Sequence, residues 1–151
     1  MNDANSDART ALTAEIVART GIDEDLLRRV VHAFYDRVRQ DEVLGPVFDA
    51  RIHDWSVHLD RMVDFWSSVA LMTGRYHGTP MQKHAPLPVD SVHFDRWLRL
   101  FEETLAETCA PVAAEHLMER ARRIAQSLEL GVALHHGNLP GRGERYRRAG
   151  S

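Results

Sequence analysis

The chain has 151 residues, 44% of them hydrophobic and 27% charged, with a formal net charge of −3. That is the size of one domain able to bury a full core, and the charge, with no long run of one sign, argues against nucleic acid as the main partner. A single cysteine, Cys109, excludes an internal disulfide framework and any all-cysteine zinc or iron–sulfur site.

The N-terminal residues are polar and acidic, unlike a secretory signal. No apolar run approaches the roughly 20 residues that span a bilayer. The expected location is the cytoplasm, with no membrane and no nucleic acid among the partners. Nine histidines stand out and need an account.

Residues 1 to 20 read as an extension, disordered at first, with a short helix from Ala8 to Ala18 that Gly21 ends. Asp23 is placed to cap the next helix, and Glu24 and Asp25 favour its positive end. Leu26, Leu27, Val30, Val31, Phe34, Tyr35 and Val38 then form one wide apolar stripe. Tyr35 is either a core tyrosine or a hydroxyl aimed into a cavity. Gly45-Pro46 breaks the chain, and Val47 and Phe48 follow in a short, irregular or 3₁₀-like link.

Asp54 is expected to cap a third helix, whose apolar face runs from Trp55 through His58, Leu59, Met62, Val63, Phe65, Trp66 and Val69 to Met72. His58 on that face reads as core packing or as a functional group. Gly74 stops the helix. Pro80 suits the first turn of a short helix, and Pro86 disfavours helical geometry at Ala85. His84 therefore sits on a stiff, proline-bracketed turn. That suits a metal ligand with one required direction; it suits a plain tight turn equally.

Asp90 or Ser91 caps the following helix, with Phe94, Trp97, Leu98, Phe101 and Leu105 on one face. Pro111 opens the last helix, striped by Leu117, Ala121, Ile124, Ala125, Leu128 and Val132, while Arg120, Arg122 and Arg123 read as a solvated rim. The Gly-, Pro- and Arg-rich segment 137–151 reads as a disordered tail. No segment alternates with period two, so the fold class is all-α, about five helices around one core.

Most familiar chemistries lack their motif. The helical His-Glu-x-x-His of zinc enzymes is absent, as are paired Glu-x-x-His motifs for di-iron, a Gly-x-Ser-x-Gly elbow and a phosphate loop. What remains is His84 on its turn, His58 on an inner helix face, and Tyr35 and Trp97 on flanking helices. A haem pocket needs such a set: one oriented neutral imidazole, and donors in an otherwise apolar cavity.

The chain resembles the truncated haemoglobins, and within them group III. The matching stretches are Phe34-Tyr35 with Asp41 to Phe48, Trp55 to Trp66, Tyr76 to Pro88 with Lys83-His84, and Phe94 to Glu103. Together they span about residues 22 to 132, and the Gly-Gly pairs of other truncated groups are absent. The resemblance implies a two-over-two helical sandwich around haem b in a globin domain of residues 21–136. It implies His84 as the iron ligand and Tyr35, His58 and Trp97 as the polar residues facing a bound gas. Phe48, Met62, Phe65, Trp66 and Phe101 become apolar wall, and Lys83, Tyr76 and Arg75 become loosely assigned propionate contacts.

The function so implied is reversible binding of O₂, NO or CO with firm O₂ retention. Its alternatives are a redox enzyme of the nitric oxide dioxygenase or peroxidase type fed by an external reductase, and a haem-based sensor or interaction module. His58 is then a gate, a lining group or a sixth iron ligand.

Overall fold

The computed structural model describes residues 3–148. Among the described residues seven helices follow in order: α1 (Asp3–Thr20), α2 (Glu24–Gln40), α3 (Leu44–Asp49), α4 (Trp55–Leu71), α5 (Pro80–His84), α6 (Ser91–Thr108) and α7 (Pro111–His135). The described residues contain no strand and no helix long and apolar enough to cross a membrane.

The expected caps form. The Asp23, Asp54 and Asp90 carboxylates accept hydrogen bonds from the Leu26, Val57 and Val92 amides. Each satisfies an amide that the helix cannot. Pro80 and Pro111 occupy first turns, where a missing amide is harmless.

α2 packs on α4 and α6, and α6 on α7, giving two pairs of helices in two layers. The α2 stripe from Leu26 to Val38 is buried as its periodicity requires. Burying each such side chain contributes about 1.5–3 kcal/mol, so this face fixes the stack.

Three expectations, two at the chain's ends and one in its interior, change. The short helix expected from Ala8 begins at Asp3, the first described residue, and docks on α4, where the Thr13 hydroxyl donates to the Leu71 carbonyl at 2.5 Å. The segment 137–148 is not a free tail throughout: Arg145 and Tyr146 lie back on α6 and α7, with Tyr146 buried among Val89, Phe94, Ala125, Val132 and Ala133. The first two and last three residues lie outside the described ones. Gly45-Pro46 does not break the chain either, but lies inside α3. Asp41 makes that possible by accepting from the Val43 and Leu44 amides at 3.0 and 2.9 Å. Gly45 is required at the α2–α3 corner, because a Cβ there would sit 2.9 Å from the Arg39 carbonyl oxygen.

α4 ends before Gly74, at Leu71, with Met72 left-handed at φ 60°. Two groups from α7 meet its last carbonyls. His116 Nε2 lies 3.0 Å from the Ala70 oxygen, and Arg120 Nε–H donates to the Val69 oxygen at 3.3 Å. Arg120 is thus a tether between helices and not a solvated rim residue.

Candidate functional site: a cavity between the helix layers

A cavity of about 670 Å³ opens between the layers, within the roughly 300–1,000 Å³ usual for a small-molecule site. Tyr35 of α2, Phe48 of α3, His58, Met62, Phe65 and Trp66 of α4, Tyr76, Lys83 and His84, and Trp97 of α6 all line it. These are ten of the twelve positions expected from sequence for the cofactor and its ligand. Arg75 does not line the cavity, and neither does Phe101. It is buried behind the wall, stacked on Trp97 at 5.6 Å and on Trp66 at 4.9 Å between ring centroids. It supports the wall and does not line it.

His84 is oriented by its own short helix. Its Nδ1 lies 2.7 Å from the Pro80 carbonyl oxygen. A carbonyl can only accept, so Nδ1 carries the proton and Nε2 keeps a lone pair. Burial lowers the His84 pKa; the bond to Pro80 opposes this, and the Lys83 charge adds to the lowering. The imidazole is a neutral nitrogen donor, which is the form a metal takes.

α5 reaches this position through a notch in α7. A Cβ at Gly131 would overlap the Met81 sulfur, so only glycine lets Met81 seat there undisturbed.

The other polar groups come from α2, α4 and α6. The Tyr35 ring stands edge-on to His58 at 5.0 Å and to Phe48 at 5.7 Å. Burial alone pushes its hydroxyl pKa above the ordinary value, so it stays a neutral donor at any physiological pH. His58 is pushed down to about 4, first by burial, then by the repulsion a protonated His84 would exert and by the charges of Lys83 and Arg61. Its Nε2 is buried and has no hydrogen-bond partner in the protein. An orphaned buried polar atom costs about 1–3 kcal/mol, so it favours a ligand that can pair with it. Trp97 is held by edge contact with Phe34 at 5.5 Å and by its stack on Phe101.

Positive charge gathers at the cavity wall, where Arg51, Arg61 and Lys83 all contribute. Arg75 does not join them; it pairs with Glu24 at 3.3 Å. Sequence reasoning missed Arg51 and Arg61. Arg61 stands three residues after His58 on α4, so helical spacing could have found it. Val89, His93, Phe94 and Leu128 are further wall residues; sequence placed Phe94 and Leu128 on apolar helix faces but not at the site.

The arrangement fits a flat, largely apolar cofactor that bears carboxylates and a metal with an open position. Residues 18–129 match the Bacterial-like globin family. The chain is 32% identical over 113 residues to the Group 3 truncated hemoglobin ctb of Campylobacter jejuni, covering 72% of this chain and 89% of that protein. It is 26% identical over 86 residues to the Group 2 truncated hemoglobin YjbI of Bacillus subtilis, covering 56% of this chain and 65% of that one. The crystal structure of the group III truncated hemoglobin from Campylobacter jejuni superposes with a TM-score of 0.68, at 32% identity, over 72% of this chain and 89% of that one. The chain belongs to the bacterial-like globins, a haem-binding family, and within them to the truncated haemoglobins of group III.

Proposed function

We propose that this protein holds haem b through His84 and binds O₂, NO or CO beside Tyr35, His58 and Trp97. The observation that carries this reading is the tautomer of His84. With Nδ1–H committed to Pro80, the free lone pair belongs to Nε2, and the residue lines a cavity that Tyr35, His58 and Trp97 also line. Haem b, when held, supplies an iron that binds diatomic ligands reversibly.

This chain's residues do the rest. Phe48, Met62, Phe65 and Trp66 exclude water from the cavity and so strengthen the polar contacts inside it. Arg51, Arg61, Lys83 and Tyr76 offer positive charge and a phenol to the propionate carboxylates. Tyr35 and Trp97 each present a donor to a ligand that carries partial negative charge, which slows its release. His58, kept neutral, lines the pocket and supplies the group that gates ligand access.

Absorption spectra of the purified, haem-supplied protein test this reading. A Soret band that shifts when CO is added to the dithionite-reduced form is expected, with a broad five-coordinate visible band before CO. Resolved six-coordinate low-spin bands before CO would instead put His58 on the iron. No Soret band after haem addition would overturn the proposal, and loss of the band in His84→Ala would tie it to the named ligand.

A further inference from the structure

The segment after α7 lies beyond the family match, which ends at residue 129. We propose that residues 138–148 are a positioning strap for the His84 wall of the cavity, fixing the turn between His84 and α6 and thereby how firmly haem is held. This inference rests on the haem reading above.

The contacts are specific. The Arg145 guanidinium donates to both Glu129 carboxylate oxygens, at 2.8 and 2.6 Å, and to Asp95 at 2.8 Å. One arginine thus ties α7 to α6. A guanidinium bound to two oxygens of a largely buried carboxylate is fixed in direction as well as place. Tyr146 follows, 5% exposed, packed in a cluster with Val89, Phe94 and Ala125, which themselves line the cavity. Its carbonyl accepts from the Ser91 amide at 2.9 Å. The Arg148 amide then donates to Asp90 Oδ2 at 3.1 Å, and its guanidinium donates to the Pro88 carbonyl at 2.8 Å.

Those last bonds close a path to the iron ligand. The Leu87 amide donates to the His84 carbonyl at 3.0 Å, and the Val89 amide to the Leu87 carbonyl at 2.9 Å. From His84 the backbone is pinned at Leu87 and Val89, then by the strap at Pro88 and Ser91, with the Asp90 carboxylate held by the Arg148 amide. α5 has no fully buried residue of its own, so apart from its seat on α7 it is held through the turn that follows it. The strap supplies that restraint from outside the residues that match the family.

The test compares the full chain with Tyr146→Ala, Arg148→Ala and Tyr146→Phe. Hydrogen exchange of the haem-free proteins reads the turn itself. Tyr146→Ala and Arg148→Ala are expected to raise exchange at residues 86–92 on the order of tenfold, with α2 and the centre of α6 unchanged. With haem bound, transfer to excess apomyoglobin is expected to quicken by about the same factor, and the iron–histidine stretching band of the ferrous form to shift or broaden. Tyr146→Phe, which keeps the packed ring, is expected to restore wild-type behaviour in all three.

Exchange that rises everywhere alike would make the segment a general stabiliser and overturn the proposal. So would local loosening with haem release and the iron–histidine band unchanged, or no change at all. A wild-type chain that takes up no haem would overturn the haem reading instead, and the exchange data would still decide whether the strap holds the turn.

Discussion

Tyr35 and Trp97 give the cavity polarity without charge. Each donor contributes on the order of 1 kcal/mol to a bound ligand, more in a dry site. At about 1.4 kcal/mol per factor of ten, Tyr35→Phe or Trp97→Phe alone is expected to speed O₂ dissociation up to roughly tenfold, and the pair roughly a hundredfold. Stopped-flow displacement of O₂ by CO measures this, and an unchanged rate in the double variant would remove the two donors from the argument. Phe101 acts differently. It is 1% exposed and sandwiched between Trp66 and Trp97, so Phe101→Ala leaves a hole behind the wall. Its expected effect is a loss of about 3–5 kcal/mol in urea unfolding, as for other buried aromatic truncations. Helical spacing put Phe101 on the Trp97 face, which is right. Spacing cannot say which of two aromatic residues on that face lies nearer the cavity, because depth depends on how far the facing helix stands off.

Elements that end or begin on local chemistry were legible: Asp23, Asp54, Asp90, Pro80 and Pro111 each act within a few residues of themselves. α3 was not, because its start depends on a partner from α6. Arg96 Nε–H donates to both oxygens of Asp41, at 2.7 and 2.9 Å, while Asp41 caps α3. Burial would raise the Asp41 pKa, but bonds from the Leu44 amide, Arg96 and the Val43 amide outweigh it and hold it below its ordinary value of 3.8. A carboxylate depressed on folding stabilises above its unfolded pKa and loses that contribution as pH falls through the folded value. Asp41→Asn is therefore expected to lose about 1–3 kcal/mol at pH 7. The deficit should shrink as pH is lowered past the usual carboxylate range; urea titrations across that range measure it, and a deficit independent of pH would deny the ion pair its role. At the other side of the cavity, Gly131→Leu would drive Met81 out of its notch on α7 and displace α5. Faster haem transfer to apomyoglobin, with urea stability nearly unchanged, is the expected signature.

At the scale of the whole molecule two apolar clusters meet across the cavity. The larger joins α1, α2, α4, α6 and the first half of α7; the smaller joins α6, the end of α7, Val89 and Tyr146, and Trp97 and Leu98 touch both. The first was legible because its residues repeat at helical spacing. The second was not, because Tyr146 is a lone aromatic in a segment whose glycines and arginines read as solvated, and only tertiary contact gives it a place. This division decides where a cofactor's stabilisation should appear. α2 is buried with or without haem, whereas α5 and the stretch from Met72 to Thr79, which contains no helix, depend on what fills the cavity beside them. Haem that binds only the folded chain stabilises it by RT ln(1 + [L]/Kd), about 4 kcal/mol at a thousandfold excess over Kd. The expected result is a Tm that climbs with haem concentration, with exchange protection gained at residues 72–90 and little change in α2. His84→Ala should abolish both. Protection spread evenly over α2 and α5 would mean that the haem-free chain is loosened throughout, and that the helix layers do not stand without the cofactor.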